Sequence, residues 1–183
     1  MKTILLIGLG NPGKEYAKTR HNAGFMFVDY FLEKYRDEFD FSPWSENKKL
    51  QSRISTGKSG GKRMILAKPQ TFMNLSGSAV TAAKKYYKIP LEDLIVVHDE
   101  IDLPLGTYRF SENASAAGHK GVQNIIDALG TKNFTRLRIG VENRSNKKIA
   151  TEKYVLGKIS LLENRKIRTS IINSASDLRE KMK

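Results

Sequence analysis

The chain contains no cysteine among its 183 residues, and it has no low-complexity tract. Without cysteine there are no disulfide bonds, no thiolate metal sites and no cysteine nucleophile. No apolar run approaches the length that spans a membrane, and the charge-poor hydrophobic core of a signal peptide is absent. We therefore expect a cytoplasmic protein without a membrane partner.

Acidic residues are scarce relative to basic ones. The chain has 32 Lys and Arg against 19 Asp and Glu, a formal net charge of +13. The excess is not confined to one tail but is spread over residues 48–68, 84–88, 136–158 and 165–168. A broad positive surface suits a polyanion such as a folded RNA, and the same composition also suits an ordinary solvated surface.

The pattern of apolar residues predicts an α/β fold. The chain length suits one domain, which we assign to residues 1–183, and we expect a monomer. Apolar runs predict strands at 2–9, 50–57, 63–67, 94–97, 106–110 and 134–141. Helical periodicity appears at 25–39, 76–87, 122–129 and 161–182. This alternation predicts a three-layer globule with a twisted, mixed but mostly parallel sheet flanked by helices.

The first strand leads into a polar, glycine-rich segment that presents Asn11, Arg20, His21 and Asn22. Loops of this kind after apolar strands are where α/β proteins place their chemistry. The glycines also fit the G-x-G-x-x-G pattern of dinucleotide sites, which requires a helix to open within the glycine run. Because Pro12 has no amide hydrogen and disfavours helical dihedrals at the preceding residue, we reject that interpretation.

The candidates for acid–base chemistry are the histidines, of which the chain has three: His21, His98 and His119. An imidazole with a pKa near 6.5 is mostly neutral at pH 7 and can accept a proton from water. His21 could equally be a solvated or helix-capping side chain. Asp99, at the end of the strand 94–97, could orient an imidazole, bind magnesium together with Glu100 and Asp102, or begin a turn. These alternatives stay open from the segment alone.

Two further polar side chains precede predicted helices. Asn74 could be an N-cap, or an amide donor to a substrate carbonyl or its oxyanion. His119 could cap the next helix or hold a carbonyl or phosphate. Widely separated histidines are a weak metal signal, and no G-x-S-x-G elbow is present. We therefore predict a histidine-activated water attacking a carbonyl, with no metal, cofactor or covalent intermediate.

Six ordered segments carry a family resemblance. They are Gly8-Leu-Gly-Asn-Pro-Gly, Thr19-Arg-His-Asn-Ala-Gly, Pro69-Gln-Thr-Phe-Met-Asn-Leu-Ser-Gly, His98-Asp-Glu-Ile-Asp-Leu-Pro, Gly118-His-Lys-Gly and Arg136-Leu-Arg-Ile-Gly. In order and spacing they resemble the bacterial-type peptidyl-tRNA hydrolases over residues 3–175. The resemblance implies a single α/β globule that hydrolyses the ester between peptide and tRNA in peptidyl-tRNA. Such a ribosome-rescue activity recycles tRNA from prematurely released nascent chains.

The resemblance also implies roles for individual residues. His21 would activate the water, Asp99 would orient His21, and Asn11 would contact the substrate near the scissile bond. Asn74 would bind the peptide moiety. The other implied substrate contacts are Tyr16 and Met73 along the cleft, His119 near the tRNA 3′ end, and Arg109 and Arg138 on the tRNA.

The chain departs from the family pattern at the rim of this implied site. Residues 113–117, Asn-Ala-Ser-Ala-Ala, replace a glycine-rich run that contains histidine. Lys120 stands where asparagine is common, and Ser111 where lysine is frequent. We expect these changes to alter tRNA affinity and cleft flexibility rather than the reaction. We also expect Lys120 to contact a phosphate of the tRNA.

Two alternatives belong to other functional classes. A non-catalytic RNA-binding relative would keep the fold and the basic surface but would have no need of a water-activating pair. A metal-dependent nuclease would use Asp99, Glu100 and Asp102, would lose activity with a chelator and would cleave phosphodiesters.

Overall fold

A computed structural model describes residues 1–182 and contains a seven-stranded sheet with the order β2-β3-β4-β1-β5-β7-β6. The strands are β1 (Lys2–Gly8), β2 (Ser45–Asn47), β3 (Ser52–Ser59), β4 (Lys62–Pro69), β5 (Leu94–Pro104), β6 (Tyr108–Ser111) and β7 (Thr135–Glu142). The central strands β4, β1, β5 and β7 run parallel to one another. The β2–β3, β3–β4 and β6–β7 pairs are antiparallel, so the predicted mixed, mostly parallel sheet is confirmed.

Helices cover both faces of this sheet. They are α1 (Ala23–Lys34), α2 (Arg36–Phe39), α3 (Ser76–Tyr86), α4 (Lys120–Leu129), α5 (Thr151–Val155) and α6 (Leu161–Lys181). Alternate residues of β1 face opposite layers, as the two-residue period of a strand requires. Ile4 and Leu6 join the core formed with α1 and α6, whereas Leu5 and Ile7 join the core formed with α3 and α4. The predicted three-layer arrangement is confirmed. None of the helices within residues 1–182 is long and apolar enough to cross a membrane.

The helix predicted over 25–39 is interrupted in the structure. α1 ends at Lys34, and α2 ends before Asp40, whose φ of 49° is left-handed. The turn lets Phe39 and Phe41 both contact the ring of Phe31, at centroid distances of 6.4 Å each. Packing of this aromatic cluster outweighs the continuous helical periodicity. The short elements β2 and α5 were not predicted, since three and five residues carry no usable periodicity.

The strand predicted to end at 97 continues to Pro104, so His98, Asp99 and Glu100 lie within β5 rather than beyond it. The reason is asymmetric pairing. The ladder between β1 and β5 ends at the Gly8–Val97 pair, while the ladder between β5 and β7 continues through the Glu100–Gly140 pair. Asp99 therefore lies where one neighbouring strand has stopped and the other still supports it.

Two glycines allow α1 to start directly against the end of β1. A Cβ on Gly8 would lie 2.1 Å from the Gly24 carbonyl oxygen, and one on Gly24 would lie 2.3 Å from the Val97 oxygen. No side chain fits at either position. Gly8 and Gly24 are thus required for close packing and not for nucleotide binding. As a result, the turn before α1 lies over β5.

Candidate active site

The segment between β1 and α1 is fixed by a reciprocal pair of asparagines. The Asn11 backbone N–H donates to Asn22 Oδ1 over 2.9 Å, and Asn22 Nδ2 donates to the Asn11 carbonyl over 3.0 Å. The side-chain oxygen of Asn11 accepts from the Met73 N–H over 2.8 Å. Because this oxygen must be the acceptor, the Asn11 side chain has its Nδ2 left as a donor. Sequence reasoning gave no role to Asn22, although its place in the same polar segment was a signal.

His21 lies in a short 3-10 turn, Arg20–Asn22, which we call the His21 turn. Its Nδ1 lies 2.9 Å and 3.0 Å from the two carboxylate oxygens of Asp99. His119 Nε2 lies 2.8 Å from Asp99 Oδ1, so one carboxylate holds both imidazoles. The structure thereby brings together residues that are 78 and 20 positions apart in the chain.

Hydrogen bonding assigns the protons on both rings. His119 Nδ1 accepts from the Val122 N–H over 3.2 Å, which makes His119 the N-cap of α4 and places its proton on Nε2. An ionised carboxylate only accepts, so His21 in turn carries its proton on Nδ1. His21 Nε2, on the side of the ring away from Asp99, is therefore left with a lone pair.

The electrostatics of the site follow from burial and these contacts. Burial alone would lower the pKa of His21, but the charge and hydrogen bond of Asp99 oppose it and leave the pKa above the ordinary value of 6.5. Burial would raise the pKa of Asp99, and the two histidines outweigh it and hold the pKa well below its usual range. Asp99 is thus ionised at neutral pH, as the orientation of His21 requires.

His98, the third histidine, is fully buried and plays a different part. Its Nδ1 donates to the Asp99 backbone carbonyl over 2.6 Å, and its ring meets that of His119 edge-on at 4.7 Å. Burial, as well as the neighbouring His119, keeps the pKa of His98 well below 6.5. His98 therefore stays neutral behind the site.

A cleft of about 740 Å³ opens over the His21–Asp99 pair. Its inner wall consists of Asn11, His21, Asp99 and His119, and its outer wall consists of Arg144 and residues 151, 152, 155 and 156. Eight of the ten predicted site residues line the cleft: Asn11, Tyr16, His21, Met73, Asn74, Asp99, His119 and Lys120. Arg109 and Arg138 do not line it. They lie side by side on β6 and β7.

Asn74 is not the N-cap of α3, so that alternative is wrong. The N-cap position is Leu75, and no side chain caps the helix there. Asn74 instead lies exposed in the 3-10 turn Met73–Leu75 and borders the cleft. The adjacent Met73 is buried because it packs against Gly121, where a Cβ would approach the Met73 sulfur to 2.4 Å.

The carboxylates after Asp99 do not join it in a metal site. Glu100 accepts from Arg138 Nε over 2.9 Å and from the Asp102 N–H over 3.1 Å. Within residues 1–182, the one group of three ligand-type side chains close enough to share an ion is His21, Asp99 and His119. In this group both imidazoles are hydrogen-bonded to Asp99. The turn interpretation of Asp99 is also wrong, since β5 continues through it.

Comparison with known proteins decides the family. A family model described as peptidyl-tRNA hydrolase matches residues 5–183. The chain belongs to the peptidyl-tRNA hydrolase family. The family member from Aquifex aeolicus (strain VF5) is 46% identical over 175 residues, which cover 96% of this chain and 87% of the relative. The one from Gloeobacter violaceus is 42% identical over 160 residues, covering 87% and 78% of the two chains.

The fold agrees with that of a solved family member. The crystal structure of peptidyl-tRNA hydrolase from Acinetobacter baumannii aligns with a TM-score of 0.87 at 34% identity, covering 97% of this chain and 87% of that one. The predicted resemblance and the predicted α/β fold are both confirmed.

The loop that departs from the family pattern has a defined conformation here. Asn113 and Ala117 both have left-handed φ values, 49° and 48°, although neither is glycine. Ala116 is buried in the core, and Arg136 Nη2 donates to the Ser115 carbonyl over 2.9 Å. These two anchors hold the strained alanine, at a cost of about 1–3 kcal/mol.

Sequence reasoning missed the outer wall and one aromatic side chain. Phe72, which is 56% exposed, lines the cleft and meets Tyr16 edge-on at 6.5 Å. Val155 and Leu156 extend this apolar lining from the end of α5. The exposed Phe72 next to a predicted substrate residue was an available signal, whereas the five residues of α5 offered none.

Proposed function

We propose that this protein hydrolyses the ester between peptide and tRNA in peptidyl-tRNA and so recycles tRNA from prematurely released nascent chains. The enzyme is a carboxylic ester hydrolase that needs no cofactor. The observation that carries the proposal is the contact of His21 Nδ1 with both Asp99 oxygens, at 2.9 Å and 3.0 Å. When the imidazole is neutral, this contact leaves His21 with an unprotonated Nε2 at the wall of the cleft.

The reaction begins when His21 Nε2 takes a proton from water and the water oxygen attacks the ester carbonyl. Asp99 keeps the imidazole in the required tautomer and stabilises the imidazolium. The tetrahedral intermediate collapses as His21 returns the proton to the departing 3′-oxygen of the ribose, giving free peptide and tRNA. General-base help of this kind contributes about 10²–10⁴-fold.

Asn11 supplies the second contribution. Its oxygen is engaged by the Met73 N–H, so its Nδ2 is preset to donate to the developing oxyanion. One such donor is worth about 10²–10³-fold. Because Met73 holds this amide and Asn22 holds the Asn11 backbone before substrate binds, no reorganisation is needed during the reaction.

The protein offers contacts both to the peptide and to the tRNA of the substrate. Asn74, Tyr16, Met73 and Phe72 offer one amide and an apolar surface to the peptide. His119, Lys120, Arg109 and Arg138 are the proposed contacts of the tRNA, for which a net charge of +13 provides attraction. We also propose that the protein is a monomer, and a substrate made during translation supports a cytoplasmic location.

The experiment is release of N-acetyl-aminoacyl groups from N-acetyl-aminoacyl-tRNA in the presence of EDTA, for wild type and His21→Ala. We expect rapid hydrolysis by wild type and at least a 10²-fold loss in the variant, with the tRNA chain intact. Tight, salt-sensitive tRNA binding without hydrolysis by wild type would indicate the RNA-binding alternative. Loss of activity with EDTA, together with cut phosphodiesters, would indicate the nuclease.

A further inference from the structure

Arg20 stands next to His21 but takes no part in the cleft lining. Its side chain is only 11% exposed, which is unusual for an arginine in a polar turn. Its Nε and Nη2 both donate to Glu163 Oε1, over 3.2 Å and 2.6 Å, and its Nη1 donates to the Tyr154 carbonyl over 3.0 Å. The guanidinium also lies 4.1 Å from the centroid of the Tyr154 ring.

Glu163 anchors Arg20 to the beginning of α6. Its second oxygen accepts from the Ser160 N–H over 2.8 Å, while Ser160 Oγ accepts from the Glu163 N–H over 3.3 Å. This capping box fixes the first turn of a helix of 21 residues. Burial would raise the pKa of Glu163, but Arg20 and Ser160 lower it below its ordinary value, so the carboxylate stays charged.

Tyr154 anchors Arg20 to the outer wall. Its hydroxyl donates to the Val141 carbonyl over 2.7 Å and accepts from the Asn143 N–H over 3.0 Å. The next residues in the chain, Val155 and Leu156, line the cleft. The backbone is joined as well, because the Arg20 N–H donates to the Gly157 carbonyl over 3.3 Å. One buried guanidinium therefore connects the His21 turn, α5 and α6.

We propose that Arg20 is a positioning residue that locks the His21 turn to α5 and α6 and thereby holds His21 on Asp99. The role deepens the proposed function, on which it rests. Loss of Arg20 frees the turn from Glu163 and the Tyr154 carbonyl, so His21 spends less time in contact with the Asp99 carboxylate. A displacement of about 1 Å costs up to about 10²-fold in rate.

The sign of the change in the His21 pKa separates positioning from simple electrostatics. The titratable groups that face His21 are Asp99 on β5, Lys120 on α4, the neutral His119 that caps α4, and Glu152 on α5. Removal of the Arg20 charge alone would raise the pKa of His21, because a nearby cation disfavours the imidazolium. Weakening of the contact with Asp99 would lower the pKa of His21, since Asp99 would then offset less of the effect of burial.

The test is an NMR titration of His21 in Arg20→Met, with kcat measured on N-acetyl-aminoacyl-tRNA. We expect a lower His21 pKa than in wild type and a kcat that falls by about 10- to 10²-fold. Arg179→Met is the matched control, because Arg179 is an α6 arginine that is paired with Glu38 and lies over the Phe39 ring. We expect it to leave both quantities unchanged. A His21 pKa that is unchanged or raised in folded Arg20→Met would overturn the proposal.

A second variant keeps the test valid if Arg20→Met does not fold. A Cβ on Gly157 would lie 2.8 Å from Arg20 Nη1, so Gly157→Ala displaces the guanidinium without removing it. We expect the same downward shift of the His21 pKa with a smaller loss of kcat, and an unchanged pKa would contradict the positioning role. The titration uses no substrate, so it can fail or succeed independently of the proposed ester hydrolysis.

Discussion

The cleft holds Asn11 and Asp99 on its inner wall and Glu152 on its outer wall in opposite ways. On the inner wall, Asn11 and Asp99 are 6% and 2% exposed, and each is held by several hydrogen bonds that are buried or partly buried. On the outer wall, Glu152 is exposed and reaches across only to Lys120, over 3.1 Å, with both side chains more than 60% exposed. The difference suggests a division of labour: buried groups fix the reacting atoms, and solvated groups adapt to a variable substrate.

The energies of the two kinds of contact support this division. A buried hydrogen bond to a charged group contributes about 1.5–3 kcal/mol, and loss of one partner leaves the other unsatisfied. An exposed ion pair contributes about 0.2–1 kcal/mol and is weakened further by salt. Substitutions on the inner wall should therefore change the reaction itself, whereas those on the outer rim should change binding.

The largest effect in this comparison is expected for Asp99→Asn. Asp99 raises the pKa of His21 against the effect of burial, so without its charge that pKa falls. Since the reaction needs neutral His21, the acid limb of the pH–kcat profile should move to lower pH. The plateau should drop by about 10²- to 10⁴-fold, because the imidazolium loses its counter-charge.

The matched control is Asp102→Asn, which removes an exposed carboxylate that also borders the cleft. It should leave the acid limb in place. An acid limb that moves equally in both variants would mean that net negative charge, rather than the His21–Asp99 contact, sets the pKa of His21. A plateau lost equally in both would point back to a shared metal site.

A somewhat smaller effect is expected for Asn11→Ala. It removes the proposed oxyanion donor, so kcat should fall by about 10²- to 10³-fold. It also leaves the buried Met73 N–H without its acceptor, at a cost of about 1–3 kcal/mol in the free energy of unfolding. Asn11→Asp separates the two effects, because it keeps the acceptor and loses the donor. It should unfold close to wild type yet remain slow, and recovered turnover in this variant would remove Asn11 from the oxyanion role.

The same contrast explains how far the sequence alone could reach. Apolar runs and helical periodicity were enough for β1, α3, α4 and α6, because β1 is apolar on both faces and each helix buries one face against the sheet. On the inner wall, Asn11 follows β1, and His21 and His119 precede α1 and α4, positions that a sequence displays. Their motifs also carried the family resemblance.

What could not be predicted depends on contacts that no local pattern encodes. Arg20 looks like a solvated arginine until Glu163, 143 positions away, is seen to accept from it. Glu100 looked like a magnesium ligand because its pairing with Arg138 depends on the register of β5 and β7. α5 is too short to show any periodicity. The outer wall could therefore be recognised only in the structure, where β7 and α6 position it.

The smallest effect is expected at the rim, for Lys120→Ala. Lys120 is paired with Glu152 in the free protein, and release from an exposed pair costs little, so a tRNA phosphate can take the place of Glu152. Loss of one phosphate contact should weaken tRNA binding a few-fold at low salt and reduce the slope of log K against log salt by about 0.7–0.9. The kcat should stay within about twofold, because no inner-wall contact is touched.

Glu152→Gln is the converse variant and should tighten binding slightly by releasing Lys120. If Lys120→Ala instead slowed the reaction at saturating substrate and left the salt slope intact, Lys120 would belong to the inner wall, and the division between the walls would be wrong at that position.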